Sequence, residues 1–414
     1  MKILFKNIKG LLQTLSKTKT YLKGFEMKKL SQINNAYLLI NNDEIIDFGK
    51  MNSCPKIEVD EVVDAKGKFI LPTWCDSHTH IVYSGSREEE FVDRIAGSTY
   101  EEITKKGGGI LNSAKKLKKT SFEQLYKESS KRLEEVMSLG TGAIEIKSGY
   151  GLDLLEEIKM LEVIDKLKKN YPASIQATFL AAHAIPSEYK NKKKKYVDQI
   201  VNEWIPIVSK KNLAKYIDVF CEKGYFEIKE TRLIIEAGKR HGLIPKIHVN
   251  QFNSFGGVAL CTKMDSLTID HLEVLTNKDL EAIKKSNTMP VALPNCSFFL
   301  KIPYTPARKI IDQNIPLVLA SDYNPGSAPS GNMNFVVSLA CTKMGMSPEE
   351  AINAATINGA HAMGLSNELG SITKGKKANF IITKTIKSYS MIPYAFGSNL
   401  IEDVYIKGKS INIS

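Results

Sequence analysis

No stretch of this sequence reaches the roughly 18 consecutive apolar residues that a membrane-spanning helix needs, so no membrane span is expected. Cysteine is sparse and scattered. The six thiols, Cys54, Cys75, Cys221, Cys261, Cys296 and Cys341, include no Cys-x-x-Cys pair, and their spacing suits neither a zinc ribbon nor a disulfide framework. In a chain of 414 residues they read as reduced, mostly buried thiols, which points to a reducing compartment. Residues 1–20 contain basic side chains but no sustained apolar core and no small-residue cleavage site, so a cytoplasmic location is expected. Histidine is scarce too, with seven in all, so their positions are informative.

What is present is ordinary for a globular protein: 43% hydrophobic and 25% charged residues, which excludes disorder and fibrous repeats. The length suggests two or three domains, or one barrel with a small companion. The net charge of +12 comes mostly from dispersed lysine. Its densest clusters are Lys192 to Lys195 and Lys115, Lys116, Lys118 and Lys119. Neither is interleaved with aromatics or accompanied by a nucleic-acid motif, so both read as solvated helix faces and no nucleic-acid partner is expected. A modest attraction for anionic small molecules follows.

Residues 1–68 hold short apolar runs, such as 37–40, 45–46 and 62–63, punctuated by turn residues. The segment 366–414 looks similar. Together they predict one small β-sandwich-like domain built from both ends. The middle, 69–365, alternates strand-like runs with helix-period segments such as 153–170 and 227–241. Eight runs are counted, at 69–77, 142–147, 174–182, 216–221, 244–249, 266–270, 289–294 and 315–321. Eight β units alternating with helices predict an α/β fold, a (β/α)8 barrel with an elaborated first loop over 78–141.

Barrel enzymes carry their chemistry at the C-terminal ends of the strands. Strand one ends in Asp76-Ser-His78-Thr-His80, strand three in Ala181-Ala-His183, strand five at His248, strand six in Asp270-His271 and strand eight in Ser321-Asp322. Five of the seven histidines thus sit at predicted strand ends, while His241 and His361 fall in helix-like segments and read as structural. Side chains alternate along a strand, so His78 and His80 share a face and can chelate one metal. His248 and Asp322, arriving from other strands, would complete a site suited to zinc or iron. A lone His-x-His is more commonly an ordinary strand pair; the matching ends favour the metal.

This arrangement resembles the amidohydrolase superfamily, as do the segments Ala354–Ala360, Gly370-Ser-Ile and Gly375–Ala378. Finer motifs resemble the imidazolonepropionases: Ser84–Phe91, Thr99–Ile103, Gly107–Ile110, Glu145–Leu152 and Ser321–Ser327. The resemblance implies hydrolysis of the cyclic amide C–N bond of 4-imidazolone-5-propanoate to N-formimidoyl-L-glutamate in histidine degradation. It implies His78, His80, His248 and Asp322 as ligands of one zinc or iron ion, with Asp322 also carrying a proton from water to the leaving nitrogen. His271 is implied as catalytic, orienting or polarising, with a fifth-ligand role as the alternative. Arg87 can clamp the propionate through two parallel hydrogen bonds, although alone it reads equally as a surface ion pair with Glu88–Glu90. Tyr150 and His183 match substrate-contact positions, and Tyr100 is a further carboxylate partner. Asn324, Gly326 and Ser327 follow Asp322, where they can hold ring or product atoms. A homodimer is what the resemblance suggests.

One position departs. Gln251 stands where bacterial members of that family carry a glutamate. An amide can hydrogen-bond but cannot exchange a proton at neutral pH. Gln251 is therefore read as positioning ring or water, leaving Asp322 and His271 to move protons; a drift in activity is the alternative. Lys147 falls on strand two, whereas the carbamylated lysine that bridges two metals in some relatives lies on strand four, so a substrate-side or structural role is expected. Glu222, at the end of strand four, could serve a second metal, but a mononuclear site is expected. The rivals are a purine or pyrimidine deaminase, which would place an acid at 251, and a metal-free binding barrel, which the ligand set disfavours.

Overall fold

The fold comes from a computed structural model that describes residues 1–98, 102 and 108–411. Tyr100 and Gly107 lie outside the described residues. The chain builds two sheets of eight strands each. Its first part supplies β1 (Lys2–Leu12), β2 (Gln32–Asn41), β3 (Glu44–Lys50), β4 (Glu61–Asp64) and β5 (Phe69–Pro72). The parallel barrel strands follow: β6 (Trp74–Thr79), β7 (Thr141–Lys147), β8 (Ser174–Ala182), β9 (Tyr216–Cys221), β10 (Ile244–Val249), β11 (Thr268–His271), β12 (Met289–Ala292) and β13 (Val318–Leu319). The end of the chain adds β14 (Phe380–Thr383), β15 (Ile401–Ile406) and β16 (Lys409–Ser410).

The barrel strands pair in chain order from β6 to β13. Their nearly continuous burial suits strands covered on both faces. Closure needs help because β13 is only two residues long. Asp76 supplies it, accepting the Ser321 backbone N–H at 3.0 Å and the Ser321 hydroxyl at 2.5 Å. Beyond this seam the Asp322 N–H donates to the His78 carbonyl and the His80 N–H to the Tyr323 carbonyl.

The run 69–77, expected as one strand, divides at Pro72-Thr73. β5 joins the terminal sheet between β14 and β1, and only from Trp74 does the chain enter the barrel. Thr73 bonds back to Asn379, Trp74 forward to Gly140. The crossing also needs Gly142, where a Cβ would lie 2.2 Å from the Thr73 hydroxyl.

The terminal sheet has its own core, including Phe5, Ile8, Leu38, Ile40 and Phe380. The covering helices follow the sequence logic. Leu154–Asn170 starts at Asp153, whose carboxylate accepts the Glu156 N–H, and buries Met160, Leu161, Ile164 and Leu167. Ile228–Arg240 opens with a capping box from Glu227 and Glu230. The long first loop holds helices Glu88–Ile95, Ile110–Lys118 and Phe122–Ser138. No helix among the described residues is long and apolar enough to cross a membrane.

Candidate active site

Strand pleating puts residues two apart on one face, and here the inward face of the barrel is ionic. It carries Asp76 and His78 on β6, Glu145 and Lys147 on β7, Asp218 on β9, Lys246 and His248 on β10, and Asp270 on β11, all buried. Lys147 Nζ lies 2.6 Å from Glu145 Oε1, 2.9 Å from Asp218 Oδ2 and 3.8 Å from Asp270 Oδ2. Lys246 Nζ pairs with Glu145 Oε2 at 2.9 Å. The three carboxylates hold the Lys147 ammonium well above its usual range against the opposing effect of burial.

Two of these carboxylates reach upward. Asp270 Oδ2 takes the Nδ1 proton of His78 at 2.6 Å, and Asp218 Oδ2 that of His248 at 2.8 Å. Both Nε2 atoms therefore present bare lone pairs, and they face each other at 3.1 Å. Nε2 of His80 lies 3.4 Å from that of His78, and Asp322 Oδ1 lies 3.6 Å from Nε2 of both. Donors about 2.0–2.1 Å from a tetrahedral ion are roughly 3.3–3.4 Å apart. His78, His80 and Asp322 are mutually close enough to share one small cation, with His248 adjoining through His78, and such an ion would also remove the repulsion between their lone pairs. Burial first, then the neighbouring imidazoles and Lys147, push His78, His80 and His248 well below the usual histidine range, so all three are neutral imidazoles with a lone pair to offer.

His271 differs. Burial lowers its affinity for a proton, but Glu273, with Oε1 3.1 Å from Nδ1, outweighs burial and shifts it upward. Asp322 is pushed up to about 6 by burial, with His271 and Asn324 pulling against the rise. The backbone is bent to aim these groups. His271 has φ +88°, Asp322 +56° and Asn250 +57°, left-handed values that β-carbon residues adopt at a cost. Anchors hold them: the Thr305 hydroxyl on the His271 carbonyl, and Asn324 Nδ2 on the Asp322 carbonyl.

Above the floor a cavity is walled by Arg87, Tyr150, His183, Gln251, Phe252 and Asn324, among others. Glu90 holds Arg87 through Nε at 2.9 Å and Nη2 at 2.6 Å, and itself accepts from the Gly109 N–H and Asn112. The guanidinium lies against Gly326, where a Cβ would come within 1.9 Å of Nη1. His183 donates Nδ1–H to the Gly149 carbonyl at 3.0 Å and stacks on His80 with centroids 5.1 Å apart.

Residues 69–411 match the model of the Amidohydrolase family. The imidazolonepropionase of Christiangramia forsetii is 62% identical over 411 residues, covering 99% of this chain and 100% of that protein. The imidazolonepropionase of Geobacillus kaustophilus is 41% identical over 391 residues, 93% of this chain and 92% of that protein. The chain belongs to the imidazolonepropionase family. Among solved structures, E. coli guanine deaminase superposes with a TM-score of 0.73 at 14% identity, over 99% of each chain. At that identity the likeness speaks for the barrel fold alone.

Of the residues expected for an imidazolonepropionase, the structure gathers His78, His80, His248, His271 and Asp322 at the floor and Arg87, Tyr150, His183, Gln251, Asn324, Gly326 and Ser327 around the cavity. Tyr100 lies outside the described residues. Arg87 is not a surface residue: it is 7% exposed and pairs with Glu90 inside the wall. Lys147 is not on the substrate side but beneath the floor. Glu222 does not face the cluster; it accepts the Phe252 and Asn253 N–H groups and so fixes the loop after β10. His361 packs on Tyr21, away from the site. Sequence reasoning missed Asp218, Glu145 and Lys246, although one signal was present: charges inside otherwise apolar strand runs. Glu90, Glu273 and Cys296 carried no such signal.

Proposed function

We propose that the chain hydrolyses 4-imidazolone-5-propanoate to N-formimidoyl-L-glutamate, a step of histidine degradation. The observation that carries this reading is the gathering of His78, His80 and Asp322, with His248 3.1 Å from His78, beneath a cavity walled by Arg87. These four residues hold one zinc or iron ion, both of which accept nitrogen and carboxylate donors. When bound, the ion acidifies water and draws charge from the ring carbonyl.

The remaining work falls to side chains. A C–O bond forms from water to the ring carbonyl carbon, and the ring C–N bond breaks. Asp322 takes a proton from the attacking water and delivers it to the departing nitrogen. His271, held by Glu273 at Nδ1, donates to the oxygen where negative charge grows. Arg87, held in place by Glu90, receives the propionate. Tyr150 and His183 flank the ring. Asn324 Oδ1 accepts the Gly326 and Ser327 N–H groups at 2.8 Å each, shaping the loop that closes over it. Gln251 orients ring or water without exchanging a proton.

The test supplies urocanate and a separate urocanase, which generate the substrate in place, and follows N-formimidoyl-glutamate by mass spectrometry. Product should form faster than without the chain, and His271→Ala should lose that gain. A folded, metal-loaded wild type that adds nothing to the background rate would end the proposal.

A further inference from the structure

Beside the floor of the site stands a second cluster that the proposed reaction leaves partly unused. His271, Glu273 and Cys296 each offer a ligand atom, and these atoms lie within 4.8 Å of one another. They come from the end of β11, the residue two beyond it, and the helix Pro294–Leu300. The Glu273 side chain is fully buried. Its Oε1 takes His271 Nδ1, while Oε2 has no hydrogen-bond partner among the described residues. Its one ion-pair partner there is His271. A buried carboxylate oxygen left bare calls for a water or a cation.

Cys296 is fully buried, and Gln251 Nε2 lies 3.3 Å from its sulfur. An amide N–H aimed at sulfur favours the thiolate that a metal requires. A glutamate at 251 would instead set a carboxylate against it. Without a cation Cys296 is a neutral thiol, because burial and then the Asp322 and Glu273 charges push it up. An arriving ion must displace that proton, which makes this site weaker than the first.

We propose that His271, Glu273 and Cys296 form a second site for a thiophilic divalent cation such as zinc or cobalt, whose filling inhibits hydrolysis. Mixed nitrogen, oxygen and sulfur donors select such ions over magnesium or calcium, and three protein ligands leave a fourth position for a water. The ion takes the place of the hydrogen bond between His271 Nδ1 and Glu273, and so withdraws the imidazole from the part given to it in hydrolysis. The inhibitory half rests on the role proposed for His271; the site itself does not.

The experiment adds Co2+ to protein already loaded with one equivalent of zinc, reading near-ultraviolet absorption and product formation together. The first site contains no sulfur, so a sulfur-to-cobalt charge-transfer band reports the second alone. The band should grow with about one further equivalent while product formation falls in parallel. Cys296→Ser should abolish the band and the cobalt inhibition. Glu273→Gln should weaken cobalt binding about tenfold or more, which keeps the test open should the serine variant fold poorly. No band in the wild type, or a band that persists in Cys296→Ser, would overturn the site. A band with undiminished product formation would overturn the inhibition and the part given to His271, leaving the site standing.

Discussion

Lys147→Met is the perturbation that most sharply separates support of the metal centre from general stability. Lys147, Glu145, Asp218 and Asp270 all have fully buried side chains. Methionine fills similar space but leaves three carboxylates facing Lys246 alone. Removing one partner of a buried ion pair costs about 3–5 kcal/mol, because the remaining charge keeps its desolvation penalty. Asp270, already pushed up to about 6 by burial against the pull of Lys246 and Lys147, rises further and is protonated at neutral pH. It then no longer fixes Nδ1–H of His78 as a donor, and Asp218 loosens on His248. Outer partners of metal-binding histidines are worth about 10–100-fold in affinity. Chelator competition should show a loss of that size, and denaturant melts the lost stability. Lys246→Met is the comparison: Lys246 bonds Glu145 and ion-pairs with neither Asp218 nor Asp270, although its charge also holds Asp270 down, so the substitution should lower stability and cost less affinity than Lys147→Met. Metal affinity within twofold of wild type in Lys147→Met would refute the reasoning.

Three other outcomes are expected. Gly326→Ala pushes a methyl into Arg87 and should raise KM roughly tenfold or more, about 1.4 kcal/mol, with less effect on kcat; an unchanged KM would remove Arg87 from carboxylate binding. Gln251→Glu should change product formation by less than about tenfold, whereas a silent wild type beside an active glutamate variant would mean that ring opening has lapsed in this chain. Lys376, whose ammonium donates to the Ser366 and Leu369 carbonyls, is lowered by burial to about 8. The folded state binds its proton less tightly than the unfolded chain, so stability should rise between about pH 8 and 10.5 and be lost as pH falls through 8. Thermal melts of Lys376→Met should lack that rise, and parallel curves for the two proteins would contradict it.

The strand ends were legible because period and punctuation are local. β8, β9 and β10 fall where apolar runs predict them, and His183 and His248 stand at the ends of β8 and β10. The split at Pro72-Thr73 was not legible, because β5 and β6 differ only in which neighbour accepts them, and that neighbour is Phe380 for one and Gly140 for the other. The ligand set was readable from its positions, but its support was not. Asp270 lies 192 residues from the histidine it holds, and no local pattern announces such a pairing. Glu90 and Cys296 were hidden for a different reason: one sits in an acidic triplet that looks like surface, the other among scattered thiols.

The most direct test of the account is a metal titration of metal-stripped protein scored by product formation. The account predicts negligible product without metal, a linear rise up to one equivalent of zinc or iron, and no rise in His248→Ala. Product formed as fast by the stripped protein as by the loaded one would contradict it.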